Sequence, residues 1–235
     1  MVYGVNDMTY LIPRRDARTQ SEGVVEGYAQ TAQRWPAQPL ARRAHGLPEL
    51  TGPRVSSRLK TTAADLAGQG AKRALGQLID VRARIVDEDG APLSGAMVEI
   101  WHCNAAGKYI HPNDSNDAPE DPNFYGAARL VADQAGQIEL RTVKPGAYPV
   151  PDTDGWWRPP HIHFSVWGRV WLSRLVTQMF FPGEPLNELD SILNAVRDPE
   201  ARGRCIARYV PRAGAALVYE YELVVRGRAA ATALP

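Results

Sequence analysis

The chain has 235 residues, a formal net charge of +1 and 44% hydrophobic residues, which is the balance of an ordinary globular protein. No run approaches the roughly 18 apolar residues of a membrane span, no apolar leader segment opens the chain, and no basic block suggests nucleic-acid binding. The two cysteines, Cys103 and Cys205, lie far apart without a CxxC pair. Two free thiols and no leader predict a cytoplasmic protein without a membrane or nucleic-acid partner.

The N-terminal part is predicted to be an irregular arm that lies on the protein's own surface or on that of a partner, or stays disordered. Prolines interrupt residues 1–60 at positions 13, 36, 39, 48 and 53, and no helix or strand period is sustained there. A short helix is predicted to begin near Thr61 and to end before Gly68. The resulting division is an arm over residues 1–76, a folded domain over residues 77–226 and a C-terminal tail over residues 227–235.

From residue 77 onward the chain alternates apolar and polar residues in short runs bounded by turns. Seven strands are predicted, over residues 81–85, 96–101, 127–131, 137–143, 161–166, 175–181 and 217–225. The third and fourth strands are expected to form a hairpin across the turn at residues 133–136. A helix is predicted over residues 188–196, closed by Pro199. Short strands spaced by turns favour an all-β protein, an antiparallel β-sandwich with one or two short helices.

The segment PPHIHF, residues 159–164, is the first candidate for chemistry. Residues two apart in a strand share a face, so His161 and His163 are expected to point the same way and Ile162 and Phe164 into the core. That spacing lets two imidazoles bind one metal ion. Two solvated or hydrogen-bonded histidines would give the same pattern, so this motif alone leaves both interpretations open.

Two tyrosines occupy stiff loop positions of the kind that often carry site residues. Tyr148 lies between prolines in KPGAYP, and Tyr109 follows the strand that ends at Trp101. Either tyrosine alone would more simply pack its ring and hydrogen-bond its hydroxyl. Together, two tyrosinates and one hydroxide would neutralise Fe(III), and a catecholate dianion could replace one tyrosinate and the hydroxide without changing that sum. The set therefore suits the binding of a catechol on ferric iron.

The stretch from about residue 81 to residue 225 resembles the intradiol ring-cleavage dioxygenases, and more specifically the iron-bearing β subunits of protocatechuate 3,4-dioxygenases. The matching segments are VEIWHCNAAGKYIH at 98–111, DPNF at 121–124, RTVKPGAYP at 141–149, WRPPHIHF at 157–164 and TQMFF at 177–181. The resemblance implies an Fe(III) cofactor and cleavage of protocatechuate (3,4-dihydroxybenzoate) with O2 to 3-carboxy-cis,cis-muconate in the β-ketoadipate pathway. It also implies a homologous α subunit in an αβ hetero-oligomer.

The same resemblance implies a role for each site residue. The expected iron ligands are Tyr109, Tyr148, His161 and His163. Tyr148 is also expected to act in catalysis, as the ligand that leaves when substrate binds. Arg158 is expected to stabilise negative charge on the ring, with Gln178 holding that arginine. The positions that correspond to the substrate pocket are Trp101, Val150, Phe180, Ile192 and, in the arm, Tyr28.

Two departures from the family pattern bear on the substrate. Val150 stands where the family's protocatechuate enzymes place Trp, and Phe180 stands where Tyr is common. The smaller Val150 leaves more room beside the ring, so another 4-substituted catechol such as 4-sulfocatechol is an alternative substrate. Two interpretations of a different class stay open at this point: a non-catalytic structural subunit, and a β-sandwich enzyme that uses zinc or ferrous iron.

Overall fold

A computed structural model describes residues 17–19, 23–25, 27–38, 61–68, 72–167 and 174–225. The strands in these residues are β1 (Leu78–Val86), β2 (Met97–Trp101), β3 (Ala127–Val131), β4 (Gln137–Val143), β5 (Tyr148–Pro149), β6 (Trp157–Arg158), β7 (His161–Trp167), β8 (Arg174–Phe180), β9 (Arg208–Val210) and β10 (Leu217–Val224). The helices are short: α1 (Ala29–Arg34), α2 (Ser191–Asn194), α3 (Pro199–Gly203), and 3-10 turns at Ala17–Thr19 and Pro185–Glu188. Each of the seven predicted strands is confirmed in position, with bounds shifted by a few residues.

The strands form two four-stranded sheets, ordered β4-β1-β10-β9 and β3-β2-β7-β8, and a two-stranded ribbon of β5 and β6. Inward side chains of both sheets form one apolar core, to which Val81 and Ile85 contribute from β1 and Ile162 and Phe164 from β7. The predicted all-β sandwich is therefore confirmed. Its paired strands run antiparallel except β1 and β10, which pair in parallel.

The predicted hairpin of the third and fourth strands is wrong. The turn itself forms, because Gly136 N–H donates to the Asp133 carbonyl at 3.0 Å, but β3 pairs with β2 and β4 pairs with β1. The two strands bury Leu130 and Leu140 in the same core from opposite sheets. Alternation indicates which face of a strand is buried and not which strand it pairs with, so the turn crosses between sheets.

The helix predicted after Thr61 is also absent, because this segment is extended. Thr62 N–H donates to the Arg129 carbonyl at 2.9 Å, and Leu66 N–H donates to the Arg141 carbonyl at 2.8 Å. Arg129 lies on β3 and Arg141 on β4, the edge strands of the two sheets. The segment covers both edges, and Leu66 is buried in the core. Pairing with exposed sheet edges thus outweighs the local preference for a capped helix.

The helix predicted over residues 188–196 is shorter in the structure, and the proline expected to end it belongs to the next helix. It spans Ser191–Asn194 and begins at Asp190, which accepts hydrogen bonds from the backbone N–H groups of Ile192 and Leu193. Pro199 does not close it, because this proline is the first residue of α3. Proline suits that position, since its missing N–H would have no partner in the first turn. The aspartates before α2 and α3 therefore set where these two helices begin.

The tail at residues 227–235 and most of the arm lie outside the described residues. Within the described ranges, no helix combines the length and the apolar character needed to cross a bilayer. A groove of about 600 Å³ runs over the outer face of the β4-β1-β10-β9 sheet. It is lined largely by arginine and glutamate side chains, such as the ion pair of Arg82 and Glu139 at 3.0 Å. None of the predicted site residues lines this groove.

Candidate metal centre

Strand register gathers the first part of the site on the outer face of the β3-β2-β7-β8 sheet. His163 on β7 stands opposite Trp101 on β2 and Gln178 on β8, and His161 stands opposite Phe180. The rings of Trp101 and His163 stack at 4.8 Å with an interplanar angle of 5°. His161 is 1% exposed. The prediction that both histidines share one face of the strand, opposite the core-facing Ile162 and Phe164, is confirmed.

Two glycines bring the tyrosine-bearing loops together. A Cβ on Gly107 would lie 2.3 Å from the Ala147 carbonyl oxygen, and a Cβ on Gly146 would lie 2.5 Å from the Ala105 carbonyl oxygen. Any side chain at either position would push the loops apart. With glycine at both, the rings of Tyr109 and Tyr148 meet edge to face, with centroids 5.3 Å apart. The sequence neighbours of the tyrosines thus decide that the two phenols converge.

The four predicted ligands form a continuous chain of polar atoms. Tyr148 Oη lies 3.3 Å from His161 Nε2, which lies 3.2 Å from His163 Nε2, which lies 3.2 Å from Tyr109 Oη. His161 Nδ1 lies 2.7 Å from the Pro159 carbonyl oxygen. Because a carbonyl only accepts, Nδ1 carries the proton and the His161 Nε2 lone pair faces the other three groups. This tautomer is the one that binds a metal ion.

Burial keeps these four groups neutral in the absence of a cation. Desolvation raises the pKa of the Tyr109 phenol far above its usual range and also raises the pKa of Tyr148, although Arg158 opposes the latter shift. Desolvation, with the nearby Arg158 charge, lowers the pKa of His163 to about 3 and the pKa of His161 well below its ordinary value. Neutral imidazoles are metal ligands as they stand, and a highly charged cation would favour release of the phenol protons.

The donor set fits ferric iron better than zinc or ferrous iron. Two phenol oxygens suit a hard trivalent ion, and imidazole nitrogens also bind iron. Zinc and ferrous sites are usually built from histidine, cysteine and carboxylates. In the part of the chain that the structure describes, no group of three or more such side chains could hold a metal ion. The residues present therefore fit an Fe(III) ion held by Tyr109, Tyr148, His161 and His163.

Arg158 lies beside this cluster as a buried cation. It is on β6 and pairs directly with Tyr148 on β5, which places the two side by side. Its Nη2 donates to Gln178 Oε1 at 2.6 Å, as the sequence resemblance predicts for Gln178. Its Nε donates to Asp190 Oδ2 at 2.5 Å. Asp190 is a residue that the sequence analysis missed, and its N-cap position ahead of a short helix was the available signal.

A cavity of about 440 Å³ opens beside the cluster, and Trp101, Tyr109, Tyr148 and Val150 are among its lining residues. Val150 is buried, and its N–H donates to the Trp156 carbonyl at 2.9 Å. This places Val150 where the resemblance expects a pocket residue. The volume is in the range of small-molecule sites.

The other expected pocket residues, Phe180, Tyr28 and Ile192, do not line this cavity. Phe180 packs against His161, with ring centroids 5.6 Å apart. Tyr28 meets the Trp156 ring edge to face at 5.4 Å, so the arm reaches this side of the molecule. Ile192 is the second residue of α2, and its backbone N–H donates to Asp190. The structure thus connects Ile192 to Arg158 through Asp190.

A profile of the Dioxygenase family matches residues 50–227. The protocatechuate 3,4-dioxygenase beta chain of Burkholderia cepacia is 49% identical over 158 residues, which cover 66% of this chain and 66% of that relative. A chlorocatechol 1,2-dioxygenase of a Pseudomonas species is 31% identical over 114 residues, covering 44% of this chain and 43% of that relative. The chain thus spans about two thirds of the first relative's length and less than half of the second's.

Solved structures share the fold at low sequence identity. The 3-chlorocatechol 1,2-dioxygenase of Rhodococcus opacus gives a TM-score of 0.55 at 20% identity, over 75% of this chain and 71% of that chain. The intradiol ring-cleavage dioxygenase of Tetranychus urticae gives 0.50 at 20% identity, over 76% of this chain and 93% of that chain. With the profile match over most of the sequence, these findings show that the chain belongs to the intradiol ring-cleavage dioxygenase family.

Proposed function

We propose that this chain is the iron-bearing β subunit of a non-haem Fe(III) intradiol dioxygenase that acts on protocatechuate. The observation that carries the proposal is the convergence of two phenol oxygens and two imidazole nitrogens, with successive atoms 3.2–3.3 Å apart. The 49% identity to a beta chain named for protocatechuate supports the substrate. It also supports a homologous α subunit as partner, to which the proline-rich arm is suited.

The proposed reaction is balanced without an external reductant. Both atoms of O2 enter the ring, the bond between the two hydroxylated carbons breaks, and protocatechuate becomes 3-carboxy-cis,cis-muconate. When bound, Fe(III) would supply a Lewis acid that the two catechol oxygens chelate and that makes the ring reactive toward O2. No dinucleotide-binding motif is needed for this chemistry.

The side chains of this chain have distinct parts in that proposal. Tyr148 would accept a catechol proton at its phenolic oxygen as substrate displaces it. The Arg158 guanidinium, paired side by side with Tyr148 in the β5–β6 ribbon, would stabilise negative charge that develops on the ring. Trp101 and Phe180 pack against the two histidines and would shield the site from water. Val150 would lie beside the 4-substituent of the ring.

The small side chain of Val150 favours a second candidate substrate, a catechol with a bulkier 4-substituent such as 4-sulfocatechol. The cavity that Val150 lines has room beside the two tyrosines. A purely structural role is disfavoured, because burial of two phenols and two imidazoles so close together costs desolvation free energy. A subunit that only supports an assembly has no use for such a cluster.

The test is a visible absorption spectrum of the protein, co-expressed with its α partner, before and after anaerobic addition of protocatechuate. We expect a broad phenolate-to-Fe(III) band that shifts when the catechol binds, and stoichiometric iron by elemental analysis. A colourless protein that still holds metal would overturn the ferric proposal. A coloured protein that ignores protocatechuate but responds to 4-sulfocatechol would keep the chemistry and change the substrate.

A further inference from the structure

The carboxylate of Asp190 contacts two separate parts of the proposed site. Its Oδ2 accepts a hydrogen bond from Arg158 Nε at 2.5 Å. Its Oδ1 accepts from the backbone N–H groups of Ile192 at 2.8 Å and Leu193 at 2.7 Å. Asp190 is 0% exposed and Arg158 is 4% exposed. One buried side chain therefore joins the guanidinium to the helix that carries a predicted pocket residue.

The neighbouring helix shows what an ordinary cap looks like in the same chain. Asp198 precedes α3, and its Oδ1 accepts from the N–H groups of Glu200 at 2.9 Å and Ala201 at 3.1 Å. Asp198 therefore caps its helix with the same geometry as Asp190, but its side chain is partly exposed. Capping alone does not require a carboxylate to be fully buried or to face a cation.

Arg158 is held at two points that together fix the plane of its guanidinium. Asp190 accepts from Nε, and the neutral amide oxygen of Gln178 accepts from Nη2 at 2.6 Å. Gln178 is neutral, so Asp190 supplies the counter-charge that offsets the desolvation cost of the buried cation. A charge-assisted bond in a dry environment also restricts the side chain to one orientation.

We infer that Asp190 is a positioning residue of the proposed reaction, which aims the Arg158 guanidinium at the bound ring and joins it to the helix that carries Ile192. The inference rests on the proposed function, because the aim of Arg158 matters to a reaction only where a catechol is cleaved beside it. Asp190 acts through Arg158 and does not itself touch substrate.

The test compares Asp190→Asn with the matched control Asp198→Asn in the αβ complex. Asparagine keeps an oxygen to cap the helix but removes the charge, so we expect iron content and the anaerobic protocatechuate band to persist. Since misplacement of a catalytic group by about 1 Å can cost on the order of 100-fold in rate, we expect kcat of Asp190→Asn to fall by about that factor, with a much smaller change in KM. Asp198→Asn should retain the wild-type kcat.

A double-mutant cycle with Arg158→Met separates positioning from general structural support. If Asp190 acts through Arg158, the double variant Arg158→Met/Asp190→Asn should be no slower than Arg158→Met alone. Fully additive losses, or an Asp190→Asn enzyme with wild-type kcat, would overturn the inference while leaving the proposed function intact. A wild-type complex that cleaves neither protocatechuate nor 4-sulfocatechol would overturn both.

If Asp190→Asn fails to fold, the double variant decides the matter. Removing the arginine as well relieves the uncompensated buried charge. Recovery of a folded, iron-containing double variant would support the pairing of Asp190 with Arg158. Continued failure to fold would show that the Asp190 carboxylate stabilises the fold independently of Arg158 and would overturn the inference.

Discussion

The Nε2 atoms of His161 and His163 lie 3.2 Å apart on the same face of β7. Two neutral imidazoles tolerate such an approach only when a proton or a cation lies between the nitrogen lone pairs. The Nδ1–H of His161 donates a hydrogen bond to the Pro159 carbonyl, so the neutral ring carries no proton on Nε2. Without a metal, the Nε2–H of His163 can donate to that lone pair. In the proposed metal site both Nε2 lone pairs would bind the ion, together with the two tyrosine oxygens.

Replacing the two proposed tyrosine ligands one at a time by phenylalanine should change the absorption spectrum of the iron-loaded protein in different ways. Tyr148→Phe removes the ligand proposed to leave on substrate binding, whereas Tyr109→Phe removes the one proposed to stay. We therefore expect Tyr148→Phe to retain a phenolate band, from Tyr109, that responds weakly to protocatechuate. We expect Tyr109→Phe to lose the phenolate band that the wild-type protein keeps after substrate has bound. Absorption titrations under argon measure both. Tyr209→Phe, at an exposed position on β9, is the matched control.

Removing the Asp114 side chain should loosen the Tyr109 loop and weaken metal retention. Asp114 Oδ2 accepts from Tyr109 N–H at 2.6 Å, and its Oδ1 accepts from Asn116 N–H at 2.8 Å. Because loss of a group that orients a ligand typically costs about 10- to 100-fold in metal affinity, we expect Asp114→Ala to lose iron to a chelator correspondingly faster.

The control for that variant is Asp133→Ala. Asp133 closes a turn through the same type of contacts, to Ala135 N–H at 2.9 Å and Gln137 N–H at 2.8 Å, at the junction between β3 and β4. Equal chelation rates for Asp114→Ala and Asp133→Ala would show that Asp114 stabilises only its own loop.

Val150→Trp should shift substrate preference toward protocatechuate. Val150 is buried at the wall of the cavity beside Tyr148. The larger tryptophan side chain there would take space from the 4-substituent of the bound catechol. One methylene in a pocket is worth about 10- to 200-fold in discrimination, and we expect the ratio of kcat/KM for protocatechuate over 4-sulfocatechol to rise by at least the lower of these factors. Val176→Trp, at an exposed position on β8, controls for adding a tryptophan. An unchanged ratio would place the 4-substituent elsewhere.

The buried His102 should make stability fall in mild acid. Desolvation lowers the pKa of His102 to about 4, from an ordinary value of 6.5. The unfolded chain binds this proton below pH 6.5 and the folded chain does not, so stability is lost as the pH falls from 6.5 toward 4. The loss is about 3 kcal/mol, at 1.36 kcal/mol per pKa unit.

Urea unfolding of the iron-saturated protein at several pH values measures this loss. A His102→Asn variant, which keeps a polar group near Thr142, is expected to be less stable at pH 7 but to have a shallower dependence on pH. Iron saturation keeps His161 and His163 in the same state in both proteins. Parallel pH profiles for the two proteins would assign the acid sensitivity to other groups.

Local patterns in the sequence predicted the strands and the faces that they bury. The alternation in Leu78–Val86 and His161–Trp167 places apolar side chains in the core, as observed. The same patterns failed to predict which strands pair with each other and where the helices begin and end. The turn at residues 133–136 crosses between sheets, and the segment after Thr61 follows two sheet edges, because tertiary pairing overrides a local preference of about 1 kcal/mol or less.

The sequence by itself determined that His161 and His163 share a face, because the strand period is a property of the backbone. It also predicted that Tyr109 lies in a loop, whereas the loop predicted for Tyr148 is wrong because this residue lies on the short strand β5. Its motifs identified the family. Only the tertiary structure decided that the two tyrosine loops touch through Gly107 and Gly146, and that Asp190 neutralises Arg158. These contacts join residues far apart in the chain, and their free energy depends on burial and on close approach, which no local pattern encodes.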